Sequence, residues 1–138
     1  MKCPNNKRYR KTKKRNMPTP TCSLTQRARE LKIITSRGWR VVRIIKGVKT
    51  TAYAIGDGHT PGTRTACGTR AQFGVVLVDP MIIRLKSQLF VSGYGFGQAL
   101  DTGGRIKGRL ADLCFDSVKR AKIHGRKTKD IYILKRAQ

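Results

Sequence analysis

The sequence predicts a mainly β protein: a small barrel with one short α-helix, preceded by a basic N-terminal arm. Three observations lead there. From Trp39 onward the chain is a series of short β-branched runs separated by Gly, Asp and Pro. Only one later segment carries both a helix start and a helix stop, and eight of the first 16 residues are Lys or Arg with no acid among them. With 138 residues, 38% of them hydrophobic, the chain can bury one modest core, which excludes a multidomain enzyme.

Taken in order, Lys2, Lys7, Arg8, Arg10, Lys11, Lys13, Lys14 and Arg15 form an arm whose like charges and low apolar content keep it solvated. Met17-Pro18-Thr19-Pro20 then favours an extended link. A short helix over residues 23–34, opening at Ser23 or Thr25, would have only a thin apolar face. Residues 1–38 are therefore read as a flexible basic arm and linker, and residues 39–138 as the folded domain. Strands are expected at Trp39–Ile45, Val48–Ile55, Val75–Val78, Gln88–Val91, Gly97–Leu100, Leu110–Phe115 and Ile131–Leu134. Asp116-Ser117 caps the one expected helix, Val118, Ala121 and Ile123 give it a partial apolar face, and Gly125 stops it. No repeat of solenoid period is present.

Thirty-one Lys and Arg face seven Asp and Glu, a net charge of +24, and residues 1–50 alone hold +15 of it. Such a chain needs an anionic partner: nucleic acid, an anionic membrane face or an acidic wall polymer. No apolar run approaches the roughly 18–20 residues of a membrane span, and no apolar stretch of about 7–15 residues follows the basic start. Neither an anchor nor an export signal is expected from the chain as read.

Cys3, Cys22, Cys67 and Cys114 form no C-x-x-C pair, and His59 and His124 add no paired spacing, so no metal site and no cofactor are expected. Cys67 and Cys114 pair only if the fold brings their Cα atoms within about 7 Å. Gly93-Tyr94-Gly95 and Gly103-Gly104-Arg105-Ile106-Lys107-Gly108 match no P-loop and read as tight turns, the second permitting close approach to a ligand beside Asp101.

The acids are the sharper signal. Asp79, Asp101, Asp112 and Asp116 lie within apolar strand segments or at their ends. Carboxylates withdrawn from water and close to one another have raised pKa values, as a general acid near neutral pH requires. Asp also caps turns by accepting backbone N–H groups, and spacing alone leaves both roles open. Period-two alternation puts Leu113 and Phe115 on one face and Asp112, Cys114 and Asp116 on the other.

An ordered set of motifs then resembles a known family. Thr51-Ala52-Tyr53, Thr60-Pro61-Gly62-Thr63, Ala66-Cys67-Gly68-Thr69, Gly74 to Pro80, Gly93-Tyr94-Gly95, Asp101 to Gly108 and Asp112 to Asp116 are similar to the 3D domain, named for three aspartates. That domain occurs in lytic transglycosylases of the MltA type and in small stationary-phase muralytic proteins. The likeness runs from about residue 48 to about residue 134. It implies a six-stranded double-psi β barrel and carries the three aspartates onto Asp79, Asp101 and Asp112.

The resemblance further implies peptidoglycan cleavage without water: the C6 hydroxyl of N-acetylmuramic acid attacks its own anomeric carbon, breaking the β-1,4 bond to N-acetylglucosamine and leaving a 1,6-anhydro product. By resemblance Asp112 is the acid/base, while Asp101 and Asp79 raise its pKa, bind sugar hydroxyls and position loops. Thr51, Tyr53, Thr69, Thr102, Gly103, Gly104 and Lys107 are expected to line the cleft. Glycan strands are the expected partner, anionic wall polymers a partner of the arm, and a homodimer a way to complete a short cleft. The cell envelope or the extracellular space is the implied location. Departures from the family pattern fall at Arg84 to Ser87, Leu100, Cys67 and Arg105, and none touches the three aspartates. Two other functions fit the same residues. One is a nucleic-acid or ribonucleoprotein binder using the arm with Arg40, Arg43 and Lys46; the other is a wall-binding module without catalysis.

Overall fold

The computed structural model describes residues 24–55 and 64–137. The expected basic arm, Cys3, Cys22, His59 and Thr60-Pro61-Gly62-Thr63 lie outside them. The elements are α1 (Leu24–Ser36), β1 (Trp39–Ala54), β2 (Val75–Leu77), β3 (Gln88–Val91), β4 (Gly95–Asp101), β5 (Leu110–Phe115), α2 (Val118–His124) and β6 (Lys127–Arg136). The strands close into a six-stranded barrel in the order β1-β5-β2-β4-β3-β6, as expected of the double-psi class. β1 runs parallel to β5 and β2 parallel to β4, while every other pairing is antiparallel.

The two strands expected at 39–45 and 48–55 are one. β1 survives its interruption because register shifts fall between Val41 and Arg43 and between Ile45 and Val48, with Gly47 at φ 69°. Gly47 N–H donates to Asp130 Oδ1 at 3.3 Å, so the irregular backbone stays partnered. β3 and β5 fall where expected. Val76, Leu89, Ala99, Ala111, Leu113 and Ile131 fill the barrel interior, each fully buried.

Both helical segments weighed from the sequence form, the one at residues 23–34 adding a second helix to the single one of the expected fold. Residues 24–36, expected to belong to a linker, are a helix packed on the barrel exterior. Ile34 is fully buried against Phe90, Tyr132 and Leu134, with Leu31 beside it. Buried Glu30 accepts from Ser92 Oγ at 2.6 Å and Tyr132 Oη at 3.0 Å, and Arg27 pairs with buried Asp130 at 3.0 Å. α2 starts as expected, with Ser117 Oγ accepting from Arg120 N–H at 3.2 Å, and ends at Gly125 with φ 60°.

His124, the last residue of α2, ties that helix to β1. Thr50 Oγ1 donates to the Lys127 carbonyl at 2.7 Å, so at the 3.0 Å contact His124 Nε2 is the donor to Thr50 Oγ1. Burial, and then the charges of Lys127 and Lys129, hold the imidazole below its ordinary value. In the unfolded chain the ring takes up a proton near pH 6.5, so its contribution is complete above about pH 6.5 and is lost as pH falls toward the lower folded-state value. The melting temperature is expected to drop between about pH 7.5 and about pH 5, and to drop less in His124→Gln. Parallel pH curves for the two proteins would remove His124 from that role.

Candidate functional site

Strand register assembles the site. Thr51 of β1 pairs with Asp112 of β5, Asp112 pairs with Leu77 of β2, and Leu77 pairs with Asp101 of β4. These four residues from four adjacent strands form one row across the sheet. The register shift between Val76 and Leu77 brings Asp101 level with Leu77. Two strand spacings separate Asp112 from Asp101, about 9–10 Å backbone to backbone. Ala111, Leu113 and Phe115 belong to the core, so Asp112 faces outward, half-buried, as the alternation requires.

Thr51 Oγ1 lies 3.0 Å from Asp112 Oδ1 and 3.4 Å from the Ala111 carbonyl; the single hydroxyl proton goes to the nearer carboxylate oxygen. Two residues on, Tyr53 shares the Thr51 face and pairs with Cys114. Its hydroxyl lies near the Cys114 thiol. Burial pushes the phenol far above its ordinary value, and the Cys114 thiol and the Asp112 and Asp101 carboxylates add to the shift. Tyr53 therefore senses both acids and stays a neutral donor across the physiological range. Cys114 is a buried thiol raised by the same desolvation, and Cys67 is likewise unpaired.

Asp101 and Asp79 clasp loops. Asp101 Oδ1 accepts from Ala66 N–H at 2.9 Å and Thr102 N–H at 2.8 Å, fixing the 64–70 turn, in which the Thr69 hydroxyl is spent on Thr65 at 2.8 Å. Asp79, 8% exposed, accepts from Gly108 N–H at 2.8 Å through Oδ2 and from Met81 N–H at 3.0 Å through Oδ1. The Gly108 and Met81 amides, with Lys107 nearby, hold its carboxyl below the usual carboxylate range. This corrects the expectation for Asp79, which is not a group of raised pKa. It locks the β4–β5 connection down, and Lys107 lies beside Asp79. Gly103 sits directly over the row: a Cβ there would meet Ile106 Cγ1 at 3.0 Å and Leu77 Cδ2 at 3.5 Å, whereas Gly104 opens to free space.

One feature escaped the sequence. A groove of about 510 Å³ adjoins Thr51, walled by Lys49, Arg105, Ile106, Leu110, Arg126 and Lys127. The i, i+2 relation of Lys49, Thr51 and Tyr53 was available as a signal; the approach of the α2–β6 turn was not. Among the described residues no three His, Cys, Asp or Glu converge as metal ligands, and no helix is long and apolar enough to cross a membrane.

Residues 74–135 match the 3D domain family. The chain is 40% identical over 91 residues to "Cell wall-binding protein YocH" of Bacillus subtilis, covering 63% of this chain and 31% of that protein. It is 36% identical over 107 residues to "Putative cell wall shaping protein YabE" of the same organism, covering 75% of this chain and 26% of that one. The chain thus spans about a third or less of these relatives' length. Among solved structures it resembles MltA from E. coli, with TM-score 0.46 and 22% identity over 57% of this chain and 29% of that one.

Proposed function

We propose that this chain, which carries a 3D domain at residues 74–135, binds peptidoglycan glycan strands along the Thr51–Asp112–Leu77–Asp101 row and cleaves them as a lytic transglycosylase. The observation that carries the reading is the half-buried Asp112 carboxyl, oriented by Thr51 and set beside a permanently protonated Tyr53. With Oδ1 accepting from Thr51, the transferable proton resides on Asp112 Oδ2. It passes to the glycosidic oxygen as the bond from the muramoyl C1 breaks. The resulting carboxylate then takes the C6 hydroxyl proton while O6 bonds to C1, closing the 1,6-anhydro ring, so no water is consumed.

Asp101 Oδ1 is committed to the Ala66 and Thr102 amides, which supports Asp112 as the single acid/base. Asp101 and Asp79 act by holding the loops that frame the cleft, with Tyr53 and the Gly103 backbone as contacts for sugar hydroxyls. Thr69, Thr102, Gly104 and Lys107 sit on those framing loops. The names of both relatives support the wall as target and an envelope or extracellular location.

Mass analysis of digested sacculi tests the reading: anhydro-ended muropeptides are expected. Reducing-end products would replace it with hydrolysis, and retention on sacculi with no product would leave a binding module. Thr51→Val removes the hydrogen bond to the carboxyl and is expected to lower product release about tenfold, with Thr51→Ser restoring it. Equal rates for Val and Ser would show that Thr51 does not position Asp112.

A further inference from the structure

We propose that the groove beside Thr51 is an oxyanion subsite that takes a carboxylate carried on a peptide branch of the glycan strand. The inference rests on the preceding reading of the cleft and adds the charge class of its substrate. Four of the nine residues that line the groove are cationic, Lys49, Arg105, Arg126 and Lys127, and none is acidic. In the whole chain 31 of 138 residues are cationic, so the concentration is about twofold and composition alone does not supply it.

The four charges come from three separate segments: β1, the β4–β5 connection, and the turn from α2 into β6. Convergence of distant segments distinguishes a built site from a basic run. The ion pairs found among the described residues are Arg27–Asp130 and Arg120–Asp116, so none of the four has an internal counter-ion there. An anion from outside would relieve their mutual repulsion. Two are Arg, whose planar forks accept a carboxylate in bidentate fashion. Ile106 and Leu110 supply apolar wall, which lowers the local dielectric and strengthens such a bond. The positive field reaches the groove floor: Lys127 helps depress His124, the ring bonded to lining residue Thr50.

Position selects the source of the anion. Thr51 is at once a wall of the groove and the donor to Asp112, so the occupant lies one residue from the reacting centre. A plain sugar chain has no use for four cations there. A muramoyl residue bears its peptide branch on the same ring whose C1 reacts, which places peptide carboxylates within reach of the groove. A phosphodiester polymer would call for a continuing track of cations rather than a pocket of about 510 Å³.

The test uses the full chain and calorimetric titration with three probes: a peptide-bearing tetrasaccharide, the same molecule with its carboxyl groups amidated, and poly(glycerol phosphate). Wild type is expected to bind the carboxylate form at least about tenfold more tightly than the amidated form at about 50 mM salt, with the margin shrinking at about 0.5 M. Arg105→Gln/Arg126→Gln, at two exposed positions, should erase that margin while leaving melting temperature and amidated-probe affinity unchanged. A wild type that does not distinguish the two tetrasaccharides, or a double variant that keeps the margin, overturns the subsite and leaves the cleft reading standing. Loss confined to poly(glycerol phosphate) assigns the groove to phosphodiesters and overturns the carboxylate proposal. Failure of wild type to bind either tetrasaccharide overturns the cleft reading and the subsite together.

Discussion

Asp112→Asn is expected to abolish release of anhydro-muropeptides from sacculi while leaving the fold intact. The amide is isosteric and its oxygen still accepts from Thr51 Oγ1, so the 3.0 Å contact in the row survives. What it loses is a proton acidic enough to give to a leaving sugar oxygen and a base to recover one. Removing a positioned acid/base costs about 10²–10⁴-fold, and here one group serves both half-steps, so the upper part of that range is expected. Asp112 faces away from the core of Leu113 and Phe115, so melting temperature should move little. The contrast is Asp79→Asn. Its oxygens accept from two loop amides, and an Asn keeps only one good acceptor, so activity should fall together with ordering of the β4–β5 connection. Full activity in Asp112→Asn, with the protein folded, would end its assignment as acid/base.

The division of labour among the aspartates marks what could be read from the residues and what could not. Alternation along Leu110–Phe115 gave the face of Asp112 correctly, because a six-residue strand with Ala111, Leu113 and Phe115 inward has one register compatible with a core. The partner of Asp112 came only with the parallel β1–β5 pairing, a contact spanning about 60 positions that no local pattern encodes. The pKa expectation failed for Asp79 for a related reason. An acid between apolar residues looks desolvated in sequence, but Gly108 and Met81 amides supply hydrogen bonds that outweigh the burial. The cationic groove was hidden in the same way, since Lys49 and Arg126 meet only when the chain closes.

Ile34→Ala is expected to destabilise the protein strongly, although residues 23–34 look in sequence like a helix with too little apolar surface to dock. Ile34 is fully buried between Phe90, Tyr132 and Leu134, and truncating such a side chain costs about 2–5 kcal/mol. For a domain of this size that corresponds to a fall of roughly 10 °C or more in melting temperature. Its neighbour Ile33 is 46% exposed, so Ile33→Ala should be close to neutral, and the pair separates docking from helix propensity. The thin apolar face misleads because part of the adhesion is polar. Glu30, the lone acid among the first 50 residues, is the group that accepts from Ser92 and Tyr132, so each of its oxygens is satisfied inside the interface. Of two truncated chains, one beginning at residue 24 and one at residue 39, the second should therefore melt well below the first. That second truncation uncovers Phe90, Tyr132 and Leu134 and leaves the Tyr132 and Ser92 hydroxyls without their carboxylate. Equal melting of the two truncated chains, or equal effects of Ile33→Ala and Ile34→Ala, would return α1 to the status of a linker.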